Sequence, residues 1–237
     1  MDHNDISPST ASLTRLRGVG VNRAAHLAAK EITSLHHLLH LLPLHYEDRR
    51  KVTLIGSAGD SETVVIRGTV TAKGETRSFG RRSGRFKAVV NDGTGALELL
   101  WFNYHPGYLS SLLEKGTDLL IYGKIDCSGT LPRMIHPEAA VAGGERGGDF
   151  NRIVPVYPSV PGFTPRLLRS VVNQALDSTI SGLPDPVPAK VIEQLGLPSL
   201  SEALKALHRP GPGASITELN EGRSGAHRRI LFDRFFS

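Results

Sequence analysis

The sequence predicts an α+β chain: an OB-fold five-stranded barrel, flanked by an N-terminal helical, helix-hairpin-helix-like segment and a C-terminal, mostly helical extension. Three observations carry this expectation. Five β-like segments lie between Val64 and Pro137, with one short helical pattern between the third and fourth, the element order of a small barrel that often binds oligonucleotides. A strongly basic hairpin joins the first two segments, and aromatic residues cluster at the end of the third.

Each barrel element has a local reason. Thr63 to Thr71 is β-branched and bounded by turn residues. Arg85 to Val90 forms the second strand, which Asn91-Asp92-Gly93 ends with tight-turn chemistry. Ala96 to Asn103 is the third. Tyr108 to Lys115 has helical spacing, and Gly116 stands in the C-cap position. Leu119 to Ile125 is the fourth strand, and Met134-Ile135-His136 begins the fifth.

The flanks read as helices. Leu13 and Leu16 precede Gly18-Val19-Gly20, a second helix runs from about Asn22 to Ala28, and Ser34 caps a third that ends before Pro43. Gly143 to Gly148 is a linker or loop tip, and Val154 to Pro158 is extended. Helices follow over Pro165 to Leu176, Ala189 to Leu195 and Ser201 to Leu207. The end, Arg223 to Phe236, reads as a basic helix with an apolar stripe of Leu231, Phe232, Phe235 and Phe236. The expected divisions are a disordered tail over 1–12, a helical region over 13–55, the barrel over 60–142 and the helical extension over 149–237.

The 237 residues are 39% hydrophobic, enough for real cores, and their net charge of +5 favours an anionic partner. Cys127 is the single cysteine, which rules out an internal disulfide and suits a reducing compartment. The opening Met1-Asp2-His3-Asn4-Asp5 lacks the regions of a signal peptide, and no apolar run approaches a membrane span. The expected location is cytoplasmic, with no membrane partner.

The charge is concentrated. Lys73, Arg77, Arg81, Arg82, Arg85 and Lys87 against Glu75 give the first hairpin a net +5, as much as the whole chain. Most charge runs are solvated loops, but on the first hairpin of an OB-fold such a run is placed to contact phosphates. On the third strand Leu97, Leu99 and Trp101 share one face, and Glu98, Leu100 and Phe102 share the other. Glu98 marks the second face as the wetter one. Trp101 is then a core residue, part-exposed at the strand end, and Phe102 points outward with Tyr104 close behind. These three aromatics join the basic residues as the candidate DNA-binding set. Phe102 is placed to stack a base or, alternatively, to cover a neighbouring helix.

At the N-terminus, LRGVGVNRAAHL has a helix-hairpin-helix pattern in which Gly18, Gly20 and Arg23 would approach a phosphate. A plain tight turn between packed helices accounts for the glycines equally well. His36, His37 and His40 cluster on a helix with no third ligand evident nearby, so no metal site is expected. The sequence has no GxxxxGK[ST] loop, GxSxG elbow, HExxH or CxxC. No catalytic residue and no cofactor is expected in this chain.

From about Leu16 onward the chain resembles the N-terminal region of the RecG family of bacterial ATP-dependent DNA helicases. The resemblance lies in LRGVG, LLPLHYEDRR, VVNDGTGALELLWFNY, YGKI, MIHPE, IVPVYPSVPGF and ALKALHRP, in that order and spacing. It implies that the OB-fold is a wedge domain that binds branched DNA, forks and junctions, while a separate motor pulls duplex. The family's paired aromatics fall on Trp101 and Phe102. The motor should begin soon after the final basic helix, so ATP and Mg would enter only if a motor domain is supplied. Excised fragment, truncation and split protein remain open. The favoured reading is a non-catalytic module that binds branched DNA. The alternatives are a protein-interaction module that docks a motor subunit, and a generic single-stranded DNA binder.

Overall fold

The computed structural model describes residues 10–76, 84–102, 104, 106–144 and 149–236. A 3-10 turn over Thr10–Arg15 leads into α1 (Val21–Ala28), α2 (Leu35–Leu39) and β1 (His45–Asp48). Next come β2 (Thr63–Thr76), β3 (Arg85–Asn91), β4 (Ala96–Phe102), α3 (Pro106–Leu112), β5 (Asp118–Asp126), β6 (Arg133–Ile135) and β7 (Glu138–Val141). β8 (Ile153–Val156), α4 (Pro165–Thr179), α5 (Ala189–Leu195), α6 (Leu200–His208), α7 (Ile216–Asn220) and α8 (Gly225–Phe236) complete the order. Two compact units result: Arg49–Arg152, and the segments that flank it on both sides.

The inner unit is the expected OB-fold. β2 pairs antiparallel with β3 and β5, β3 with β4, and β4 runs parallel to β6, which closes the barrel through β5. β7 adds a strand on β5. Inward positions of every strand meet in one core containing Ile66, Val90, Leu97, Leu99, Trp101, Ile121 and Met134, with Leu109 and Leu113 packed against them. The fifth strand is not continuous. It breaks at His136-Pro137, because proline has no N–H for the ladder and His136 takes a φ of +50°. Gly123, opposite the break, makes room for it: a Cβ there would lie 3.1 Å from Met134 Sδ and 3.3 Å from Pro137 Cβ.

The outer unit is built from both chain flanks. The sequence reading keeps 13–55 and 149–237 apart, but Leu13, Leu27 and Leu38 share a core with Val171, Leu204 and Ile230. The expected tail ends early, since Thr10 already begins a 3-10 turn and only residues 1–9 of it lie outside the described residues. α4 is central. Thr164 caps it by accepting from the Leu167 N–H, and Leu168, Val171, Val172, Ala175 and Leu176 recur at helical spacing and are buried. Each buried leucine or valine among them contributes roughly 1.5–3 kcal/mol. Ser199 and Glu202 form a capping box on α6.

Candidate nucleic-acid interface

The outward face of β3, β4 and β6 brings together three of the predicted site residues, Phe102, Arg85 and Lys87. Arg85 lies directly across from Phe102, and Lys87 from Leu100. On the other side of β4, Leu100 faces Ile135 and Glu98 faces Arg133. Alternation along β3 sends Phe86, Ala88 and Val90 inward and leaves Arg85 and Lys87 exposed. The result is a strip of apolar and aromatic side chains bordered by cations.

Phe102 is the centre of this strip. It is partly exposed. The Arg85 guanidinium lies over its ring, with Cζ 5.5 Å from the centroid. From the β6 side the His136 imidazole stands edge-on at 5.5 Å, with 62° between the ring planes. Lys87 donates to Glu98 Oε1 at 2.7 Å, so the acid on this face is neutralised locally. Arg133 is held in turn by Asp126, whose carboxyl is drawn down to about 2 by hydrogen bonds from Ser128 and then from Arg133.

The other predicted residues fall in different settings. Trp101 is 8% exposed and belongs to the barrel core, so it supports the strip from beneath and offers no open ring. Tyr104 packs edge-on against Phe86 at 5.4 Å and donates its hydroxyl to Glu75 Oε1 at 2.6 Å, which ties the base of the hairpin together. Lys73 is exposed, with Nζ donating to the Ser110 carbonyl at 2.9 Å. Arg77, Arg81 and Arg82 lie outside the described residues.

Gly18, Gly20 and Arg23 belong to the outer unit. Gly18 has a φ of +89°, and a Cβ there would sit 2.7 Å from Leu167 Cδ1, so the left-handed turn by itself accounts for a glycine here. Gly20 is the N-cap of α1 with open space at its Cβ position. Arg23 donates to the Gly162 carbonyl at 2.7 Å and to the Gly18 carbonyl at 2.8 Å, bolting the hairpin to the turn before α4. Here the guanidinium serves a structural role.

A groove of about 710 Å³ runs along β2. Its lining pairs one cation, Arg67, with Asp92 and Asp118, and Arg67 donates to Asp118 Oδ2 at 2.7 Å. Such a groove offers no excess positive charge to a phosphate. Among the described residues no cluster of three or more His, Cys, Asp or Glu could hold a metal, and no helix is long and apolar enough to cross a membrane.

Sequence reasoning missed His136 and Ile135. Pro137 signals only that the ladder ends there; the left-handed φ of His136 runs against the extended conformation favoured before proline and has no sequence signal. The C-terminal segment is helical as expected. α8 buries Ala226, Arg229 and Ile230, while Leu231 is 51% and Phe235 87% exposed, so these two members of the stripe face away from the core. Arg229 is fully buried because Asp185 and Asp233 pair with it.

A sequence profile described as the RecG wedge domain matches residues 13–179. The ATP-dependent DNA helicase RecG of Escherichia coli K12 is 31% identical over 227 residues, covering 95% of this chain and 32% of the relative. The protein of the same name from Bacillus subtilis is 27% identical over 224 residues, covering 94% of this chain and 31% of the relative. The chain thus spans about a third of the length of the curated relatives it matches. A solved structure of RecG bound to a three-way DNA junction superposes with a TM-score of 0.77 at 24% identity, over 100% of this chain and 32% of that one.

Proposed function

The chain belongs to the RecG wedge domain family, and from that premise we propose that it is a DNA-binding wedge for forks and junctions with no catalytic step of its own. The observation that carries this reading is the partly exposed Phe102 ring, set between Arg85 and His136 on the outward face of β4. Branched DNA offers two things at once: phosphates beside a duplex end, and an unpaired base at the branch. Lys87, Arg85 and the basic hairpin supply the phosphate contacts. Phe102 supplies a π-face for the unpaired base. Trp101 keeps the strand beneath that ring fixed. We assign no cofactor to these residues. ATP and Mg enter only with a motor domain, and the helicase activity named for the relatives requires one.

A forked duplex, a blunt duplex and a single strand of equal length provide the test. Stacking one base is worth about 1–3 kcal/mol, so Phe102→Ala should weaken fork binding about ten-fold and leave blunt duplex nearly unchanged. Equal losses on fork and duplex, from a variant that melts like the parent, would overturn the wedge assignment. Preference for the plain single strand over the fork would favour the generic OB-fold reading. A second role, docking of a helicase motor, rests on the exposed Leu231 and Phe235 of α8.

A further inference from the structure

On the reading of Phe102 as a stacking floor, we infer that His136 is the side wall of the same slot and reads the edge of the unpaired base, so that the chain prefers some bases over others at the branch point.

The backbone places His136 there against the rule of its strand. Side chains alternate along a strand, so with Ile135 facing outward His136 should face the core. Both are exposed, Ile135 by 49%. The cause is the φ of +50° at His136, a left-handed turn that swings the imidazole back to the outer face. Non-glycine residues hold this conformation where the surroundings enforce it, and such positions gather at binding sites. The enforcement is visible. The His136 N–H donates to the Leu100 carbonyl at 2.8 Å, on the same strand that carries Phe102. The bend is held although Pro137 follows, a residue that favours an extended neighbour before it, and Gly123 leaves space for it.

The geometry of the two rings assigns the role. At 62° to Phe102 the imidazole is neither a second floor nor a lid. A base lying flat on Phe102 meets it at the rim. The imidazole rim carries one donor and one acceptor in the neutral ring. Base rims differ in the order of their donors and acceptors, so this wall discriminates, whereas a phenyl floor accepts any base.

The test uses the full chain and a set of forks that differ only in the single unpaired junction nucleotide: A, C, G, T or an abasic site. His136→Gly removes the ring and keeps the left-handed backbone at no steric cost. His136→Asn is a second variant that also tolerates this conformation. The parent should bind the best base about five-fold tighter than the worst, the factor of one net hydrogen bond. In His136→Gly the spread should fall below about two-fold, with abasic-fork and duplex affinities and the melting temperature unchanged. If Phe102→Ala weakens fork binding but His136→Gly keeps the parental spread, the wall is refuted while the stacking floor stands. A parent that binds all four bases alike refutes the wall as well. If Phe102→Ala binds the fork like the parent, the floor itself fails and the wall with it.

Discussion

Arg85 gives the sharpest test of how a base enters the slot. Its Cζ lies 5.5 Å from the Phe102 centroid. A base sandwiched between them needs about 3.5 Å on each face, or about 7 Å in all. The guanidinium must therefore withdraw by about 1.5 Å beyond its 5.5 Å position, a distance that side-chain rotation covers without moving β3. On the wedge reading proposed above it would there stack on the far face of the base and stay near the adjoining phosphate. Arg85→Lys keeps the charge and loses the plane. It should cost about 1 kcal/mol, roughly five-fold on a fork, with the salt dependence intact. Arg85→Ala loses both. It should weaken the fork by ten- to thirty-fold, and the slope of log K against log salt should flatten by roughly 0.7–0.9. Fluorescence anisotropy between about 50 and 200 mM salt covers the useful range. An Arg85→Lys protein that binds the fork as tightly as the parent would refute the sandwich, because a point charge cannot replace a stacked plane.

Three further outcomes are expected. Trp101→Ala should lower barrel stability by about 3–5 kcal/mol, read in a thermal melt, and DNA binding should fall only as far as folding does. Gly18→Ala should destabilise the outer unit by about 1–2 kcal/mol, since alanine resists a φ of +89°; an unchanged denaturant midpoint would show that the turn relaxes. His208 is fully buried between the Leu39 carbonyl and the Tyr157 hydroxyl, and burial pushes its pKa down to about 4. The unfolded chain takes up a proton near pH 6.5 that the folded chain refuses until about pH 4. Stability is therefore full above pH 6.5 and should decline by about 3 kcal/mol on acidification to pH 4, a slope that His208→Phe should flatten.

The barrel was legible because its signals are local. β-branched runs, Asn91-Asp92-Gly93 and the Gly116 cap each fix their own neighbourhood, and strand parity alone sends Trp101 inward. β1 carried no such signal. His45–Asp48 is a strand only because it pairs with Ile153–Val156, more than a hundred residues on. Leu100 shows the same limit: parity puts it on the wet face, yet it is 6% exposed because β6 runs beside it. Arg23 reads as a possible phosphate contact from the helix-hairpin-helix pattern, and its hydrogen bond to the distant Gly162 carbonyl has no local sequence signal. His136 escaped notice because a regular strand was extended through it, and one left-handed residue reverses which way a side chain points.

The pairing of β1 with β8 also bears on how the chain reaches its fold. Asp48 and Ile153 are partners across that ladder, and the Arg49 N–H donates to the Arg152 carbonyl at 3.0 Å, so the barrel begins and ends at one point. In an unfolded chain, bringing those ends together closes a loop of about 100 residues, at an entropic cost of about 4 kcal/mol. A folded barrel has already met that cost. A barrel that forms first would bring the two halves of the helical core within reach of each other, and a mutation that slows the barrel would then delay a core that contains none of its residues.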